Sequence, residues 1–297
     1  FQAEDGIRDC LLSRGLGDVY KRQLIHSIWN IQLKKSSDPY KFLINIATCA
    51  WVLFTPYSIF KLFTSTISPE TFIFFILSFL IHFLYFIFLG KAYTNFELSL
   101  VYPIARGLSV FLLPIYGIFI LSETITTFAL IGCFFIFYGI ILTGSISHNY
   151  FTSIEGFKKL FNSGVISALT IGVIISLYSL ADKKAAGGID PILFVWFTDT
   201  SAVLIFFYHQ RKNKDYVSYF SSNFKKLAIP GLFQFSSYAI VIYAYSTTFL
   251  SYAGTFREVG TVFGAIFAKI FLGENFTVKK SFGIFFIIFG AILISLF

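Results

Sequence analysis

Four charged residues stand well inside long apolar runs of this 297-residue sequence, away from the run ends: Arg106, Asp199, Arg257 and Glu258. A charge at the centre of a membrane helix costs ~2.5–3.5 kcal/mol on insertion scales, so such residues face a partner, a cavity or a substrate. Arg106 and Arg257 could hold an anionic group, because a guanidinium fork matches a carboxylate or phosphate. Alternatively, Glu258 could pair with Arg106 across two helices and lock the bundle. Arg257 and Glu258 are sequence neighbours, so on a regular helix they point ~100° apart and do not easily address one face. Asp199, beside Thr198 and near Trp196, could take up a proton, because burial disfavours the charged carboxylate. Asp199 and Glu258 are therefore the expected proton-coupling residues. A salt bridge to a nearby Lys or Arg is the structural alternative for Asp199.

Aromatic walls with a few polar groups make a usual small-molecule pocket. Trp29 and Asn30 in the first apolar stretch, Trp196, and Tyr93 with Tyr245 at matched places are the aromatic and polar residues expected to bind substrate beside the two arginines. With 41 Phe in the chain, any other single aromatic reads as packing or lipid contact. His82 stands without a ligand at metal spacing and reads as a core histidine. No metal site, cofactor or catalytic residue is expected. Cys49 and Cys133 read as small buried hydrophobes.

These residues need an apolar frame, and the composition supplies one. Hydrophobic residues make up 56% of the chain and charged residues 13%, against ~25% charged in ordinary soluble domains. The formal net charge of +8 lies in short breaks between apolar runs, as in multi-pass membrane proteins, and does not mark a nucleic-acid surface. Ten apolar stretches can be read, roughly 24–33, 42–63, 71–90, 98–121, 126–146, 164–181, 190–208, 228–249, 251–272 and 280–297. Most are long enough to span a bilayer as helices, and solid runs exclude the alternating pattern of a barrel. The expected fold is an all-α membrane protein of ten transmembrane helices, the first truncated.

The chain also repeats itself. Arg106 falls on Arg257, Glu123 on Glu274, Thr126 on Thr277, Gly132 on Gly283 and Gly139 on Gly290, all at one separation. The segment 25–35 likewise matches 174–184, and each copy then meets an Asp-Pro step, Asp38-Pro39 and Asp190-Pro191. Pro there suits the first turn of the next helix. Five stretches per half force the second half to cross in the opposite sense, giving two inverted five-helix repeats. The expected organisation is a first repeat over 24–147, a connecting loop over 148–163 and a second repeat over 164–297. Residues 1–23 resemble a translated sequencing-adapter sequence and are expected to be non-native. The polar break 210–227 could be a short interfacial helix or a solvated loop. Glu123 and Glu274 read as caps of the turns they stand in. The paired glycines would let the fifth and tenth stretches touch closely, either within one chain or in a homodimer.

HSIWNIQLKKSSDP resembles the first-helix pattern of EamA-type permeases in the drug/metabolite transporter superfamily. FLGENFTVKKSFGIFFIIFGAIL, and more weakly ILSETITTFALIGCFFIFYGIIL, resemble its helix-end Leu-Gly-Glu motif and the glycine-containing helix that follows. Ser122 stands where that motif expects Gly. The resemblance implies ten helices and secondary transport of small metabolites, commonly export. Lys and Arg gather in the connections after odd-numbered stretches, which places the C-terminus outside, whereas the family habit is cytoplasmic termini. The reading is thus a multi-pass integral membrane protein of the bacterial inner membrane. It would export a small polar or amphipathic metabolite such as an amino acid, coupled to protons or to an exchanged solute. The alternatives are a membrane-embedded enzyme on a lipid-linked substrate, or a non-transporting subunit. The scattered His at 26, 82, 148 and 209 disfavour the first, and the matched intramembrane arginines disfavour the second.

Overall fold

The computed structural model describes residues 25–26, 29, 32–33, 35–96, 98–143, 163–213, 215–272 and 277–296. Residues 1–23, the connecting segment 148–162, Asn30 and Glu274 lie outside them. The described residues form helices α1 (Pro39–Thr64), α2 (Pro69–Asn95), α3 (Leu98–Leu121), α4 (Thr127–Thr143), α5 (Ser163–Ala185), α6 (Pro191–Asn213), α7 (Asp215–Thr247), α8 (Leu250–Phe256), a 3₁₀ turn at Arg257–Val259, α9 (Gly260–Leu272) and α10 (Val278–Leu296). Both Asp-Pro steps start helices as expected. Asp38 caps α1 by accepting from Lys41 N at 2.9 Å. Asp190 caps α6 by accepting from Ile192 N at 3.0 Å and Leu193 N at 3.1 Å.

Seven of these helices are long and apolar enough to cross a membrane, and α4 is a shorter apolar helix. Large apolar side chains cover the outside, among them Phe63 at 84% and Phe119 at 80% exposure. Water would not tolerate such a surface, whereas lipid makes it the natural exterior. No strand occurs among the described residues. Two sequence expectations need correction. The 210–227 break is neither a separate helix nor a loop, because residues from Asp215 onward run directly into α7. The 251–272 stretch is not one continuous helix, because the 3₁₀ turn divides it at the Arg257–Glu258 pair.

The helices meet through small residues and matched polar pairs. In the α4–α10 seam, a Cβ on Gly132 would meet Gly290 O at 2.6 Å, and one on Gly139 would meet Gly283 O at 2.6 Å. The paired glycines therefore touch within the chain, which corrects the homodimer option for these residues. In the α1–α6 seam, Trp51 Nε1 donates to Thr200 Oγ1 and Trp196 Nε1 donates to Thr55 Oγ1, each at 3.0 Å. The two indoles stack at 5.3 Å. Helix α5 lies against both α2 and α3, while α7 lies on α1 and α6. That arrangement places the polar face of α5 in the middle of the described helices.

Candidate functional site

The 3₁₀ turn that ends α8 carries Arg257 and Glu258 into the helix packing, where both are almost fully buried. Arg106 comes from the middle of α3. Its Nε lies 3.3 Å from Glu258 Oε2, and Arg257 Nε donates to Glu258 Oε1 at 3.3 Å. One carboxylate thus bridges two guanidinium groups. Their neighbouring positions do not keep Arg257 and Glu258 apart, because the arginine folds back along the 3₁₀ turn to meet Glu258. Arg257 Nη1 also donates to Ser179 Oγ at 3.1 Å and to Tyr245 Oη at 3.3 Å. The Arg106 guanidinium sits 5.6 Å over the Tyr102 ring. Two cations against one anion leave the triad with one excess positive charge. A buried site of that sign suits an anionic group, provided the ion pairs can open.

A second polar cluster lies one turn along α5 from Ser179. Asp182 has no exposed surface. Its Oδ1 accepts from Ser78 Oγ of α2 at 2.5 Å, and its Oδ2 accepts from Tyr238 Oη of α7. Tyr238 Oη also lies 2.9 Å from His82 Nε2, while His82 Nδ1 lies 2.9 Å from Ser78 O. The Tyr178 ring lies tilted against the His82 ring at 4.2 Å. His82 is therefore not an isolated core residue. Arg257 stands within electrostatic reach of both Asp182 and His82. The sequence reading passed over Asp182 because the following Lys183-Lys184 resembles a solvated helix end. The available signal was its spacing, four residues after Tyr178 and three after Ser179, which puts all three on one helical face.

The turn between α7 and α8 is held by two distant charges. Lys183 Nζ donates to Tyr245 O at 2.6 Å and Thr248 O at 2.8 Å, near the carbonyl end of α7. Glu123 accepts from Leu250 N at 2.5 Å, Ser251 N at 3.1 Å and Ser251 Oγ at 2.5 Å. Glu123 is a cap, as expected, but it caps α8 across the molecule and not its own turn. Its N–H bonds Gly117 O at 2.9 Å.

The remaining site residues scatter. Tyr245 joins the triad. Trp29 is buried in the core beside Leu33 and Phe42, and among the described residues its Nε1 has no hydrogen-bond partner. Tyr93 packs against that core and stands within electrostatic reach of Arg106. Trp196 is engaged in the α1–α6 seam. Asp199 is buried on α6 near Gln234, and among the described residues no Lys or Arg pairs with it and its Oδ2 has no hydrogen-bond partner. The described residues hold no group of His, Cys, Asp and Glu suited to a metal.

The lipid-facing exterior, the membrane-length helices and the buried charges define a multi-pass integral membrane protein. Residues 162–296 match the EamA-like transporter family, part of the drug/metabolite transporter superfamily. A solved structure described as "Crystal structure of protein" shares the fold, with a TM-score of 0.71 at 14% identity, covering 95% of this chain and 98% of that one. No curated protein matches the chain.

Proposed function

We propose that this protein is a secondary transporter that exports a small polar or amphipathic metabolite with an anionic group, such as an amino acid, across the bacterial inner membrane. Ten helices would form two inverted five-helix repeats, over 24–147 and 164–297, that alternate access around the buried charges. The glycine contacts support this organisation. Gly132 and Gly139 of one copy meet Gly290 and Gly283 of the other, with the order reversed. Reciprocal contact between equivalent positions is what a two-fold axis produces.

The observation that carries the substrate reading is the Arg106–Glu258–Arg257 triad. Tyr245 already bonds Arg257, and Tyr93 would extend the path on the Arg106 side; Trp29, and Asn30 outside the described residues, are proposed as further substrate contacts. Trp196 would act through the α1–α6 seam. An incoming carboxylate would replace Glu258 as the partner of one arginine, so binding and opening of the triad would be one event. Asp199, with no cation beside it among the described residues, is the carboxylate we assign to the coupling proton, and Glu258 would exchange between the two arginines. A host expressing the complete gene would be screened for resistance to toxic amino-acid analogues. Arg106→Leu and Arg257→Leu should each abolish that resistance at unchanged membrane expression; resistance that survives both changes removes the arginines from the path.

A further inference from the structure

The cluster around Asp182 sets a hydrogen-counting problem. Ser78 Oγ has one hydrogen, and its 2.5 Å contact gives that hydrogen to Asp182 Oδ1. His82 Nδ1 faces two oxygens of Ser78, the carbonyl at 2.9 Å, which can only accept, and Oγ at 3.2 Å, whose hydrogen already goes to Asp182, so Nδ1 carries a hydrogen. Two contacts remain, His82 Nε2 to Tyr238 Oη and Tyr238 Oη to Asp182 Oδ2. Tyr238 has one hydrogen and can satisfy only one of them. With His82 neutral and Asp182 ionised, the other contact sets lone pair against lone pair. One added proton resolves this in either of two ways. It can sit on Nε2, which donates to Tyr238 while Tyr238 donates to the carboxylate. It can sit on Oδ2, which donates to Tyr238 while Tyr238 donates to Nε2. The two forms interconvert by shifting two hydrogens along the chain, with no change in total charge.

We infer that the Asp182–Tyr238–His82 chain is a proton site, and that the conformation described here is its loaded form. The site joins three helices, with His82 and Ser78 on α2, Asp182 on α5 and Tyr238 on α7. Releasing the proton to water leaves one of the two contacts without a hydrogen and frees α7 from either α5 or α2. The charged and titratable neighbours are Arg257 from the 3₁₀ turn, Tyr178 on α5 and Tyr245 on α7. Arg257 belongs to the triad, and its charge is within reach of the chain. The loaded chain is neutral overall and the empty one carries one negative charge, so the triad and the chain together carry +1 when loaded and zero when empty. Loading therefore favours an anion at the arginines. This last coupling rests on the transport reading above; the proton site itself does not.

The purified full-length chain in lipid nanodiscs tests the site without any solute. Protons released on a jump from acid to alkaline pH are counted, and the thermal unfolding midpoint is followed across the same range. Asp182→Asn supplies an amide that donates to Tyr238 as the protonated acid would, so it should hold the loaded pattern permanently. Wild type should release one proton per chain more than Asp182→Asn. Its midpoint should fall by about 2–4 °C on release, as expected for one lost hydrogen bond, while that of the variant stays level. Tyr238→Phe, which keeps both ends and removes the bridge, should also lose the pH-linked fall. Asp199→Asn should leave the one-proton difference intact. Equal proton counts for wild type and Asp182→Asn, or a midpoint that falls equally in both, overturn the inference. Such a result would leave the arginine path standing, whereas resistance that survives the arginine substitutions would leave the proton site standing.

Discussion

The α4–α10 seam and the polar face of α5 hold helices together by opposite means. The seam uses the absence of side chains. Gly132 and Gly139 approach the carbonyls of Gly290 and Gly283 so closely that a methyl group has no room. Those glycine contacts hold nothing to titrate and no partner to exchange. The face of α5 uses Ser179 and Asp182, which reach Arg257 on one side and Ser78 and Tyr238 on the other. Every contact there depends on a hydrogen or a charge that can be moved. On the transport reading proposed above, the first seam would stay shut through the cycle and the second would exchange partners.

The sharpest way to break the comparison is to remove the bridging anion. Glu258→Ala leaves Arg106 and Arg257 facing each other without a counter-charge, which should cost about 3–5 kcal/mol and strip the purified chain of most folded material by size exclusion in detergent. Adding Arg106→Leu removes one of the stranded cations and should restore part of that loss. A double variant no better than the single one would mean that the triad is not a coupled unit.

On the rigid side, Gly139→Leu drives a side chain into a backbone carbonyl that cannot rotate away. It should cost about 3 kcal/mol, read as a lower unfolding midpoint. Gly264 has nothing within reach of an added Cβ, so Gly264→Ala should be neutral or slightly stabilising. Equal effects at the two glycines would show that helix propensity, and not the close approach, decides the seam.

Much of this frame was legible in the sequence because it follows from short-range rules. The Asp-Pro steps became caps with Pro in the first turn, and the constant spacing of Gly132, Gly139, Gly283 and Gly290 pointed to the helices that touch. The site was legible only in part. Arg106, Arg257 and Glu258 stood out because charge in an apolar run is costly, and Tyr245 because it matches Tyr93 in the repeat. Asp182 did not, because a carboxylate beside two lysines looks solvated until α2 and α7 are placed around it. Glu123 was read as a cap, but its target lies across the molecule, a long-range pairing that no local pattern specifies.

Glu123 allows a smaller test of that long-range pairing. Its carboxylate takes three hydrogen bonds at the start of α8, and Glu123→Gln keeps the size while removing the charge. The loss should be about 1–2 kcal/mol, as for a cap with a favourable helix-end charge. If the loss vanishes when Ser251→Ala is already present, the two residues act together. Additive losses would put the effect in Glu123's own turn.

The smallest expected effect lies one residue earlier and has the opposite sign. Ser122 holds a left-handed backbone, with φ at +54°, between α3 and the Glu123 contact. A side chain in that region costs roughly 1–2 kcal/mol, which glycine avoids. Glycine also frees the unfolded chain, which gives back about 0.5–1 kcal/mol. The difference favours Ser122→Gly by ~0.5–1 kcal/mol, so the midpoint should rise by a few degrees. This also gives a physical reason for Gly at the position where EamA-type helix ends expect it: the chain must turn left-handed there to aim the next carboxylate at α8. If Ser122→Gly instead lowers the midpoint, the serine side chain stabilises the turn by more than its backbone strain costs, and the left-handed geometry alone does not explain the motif.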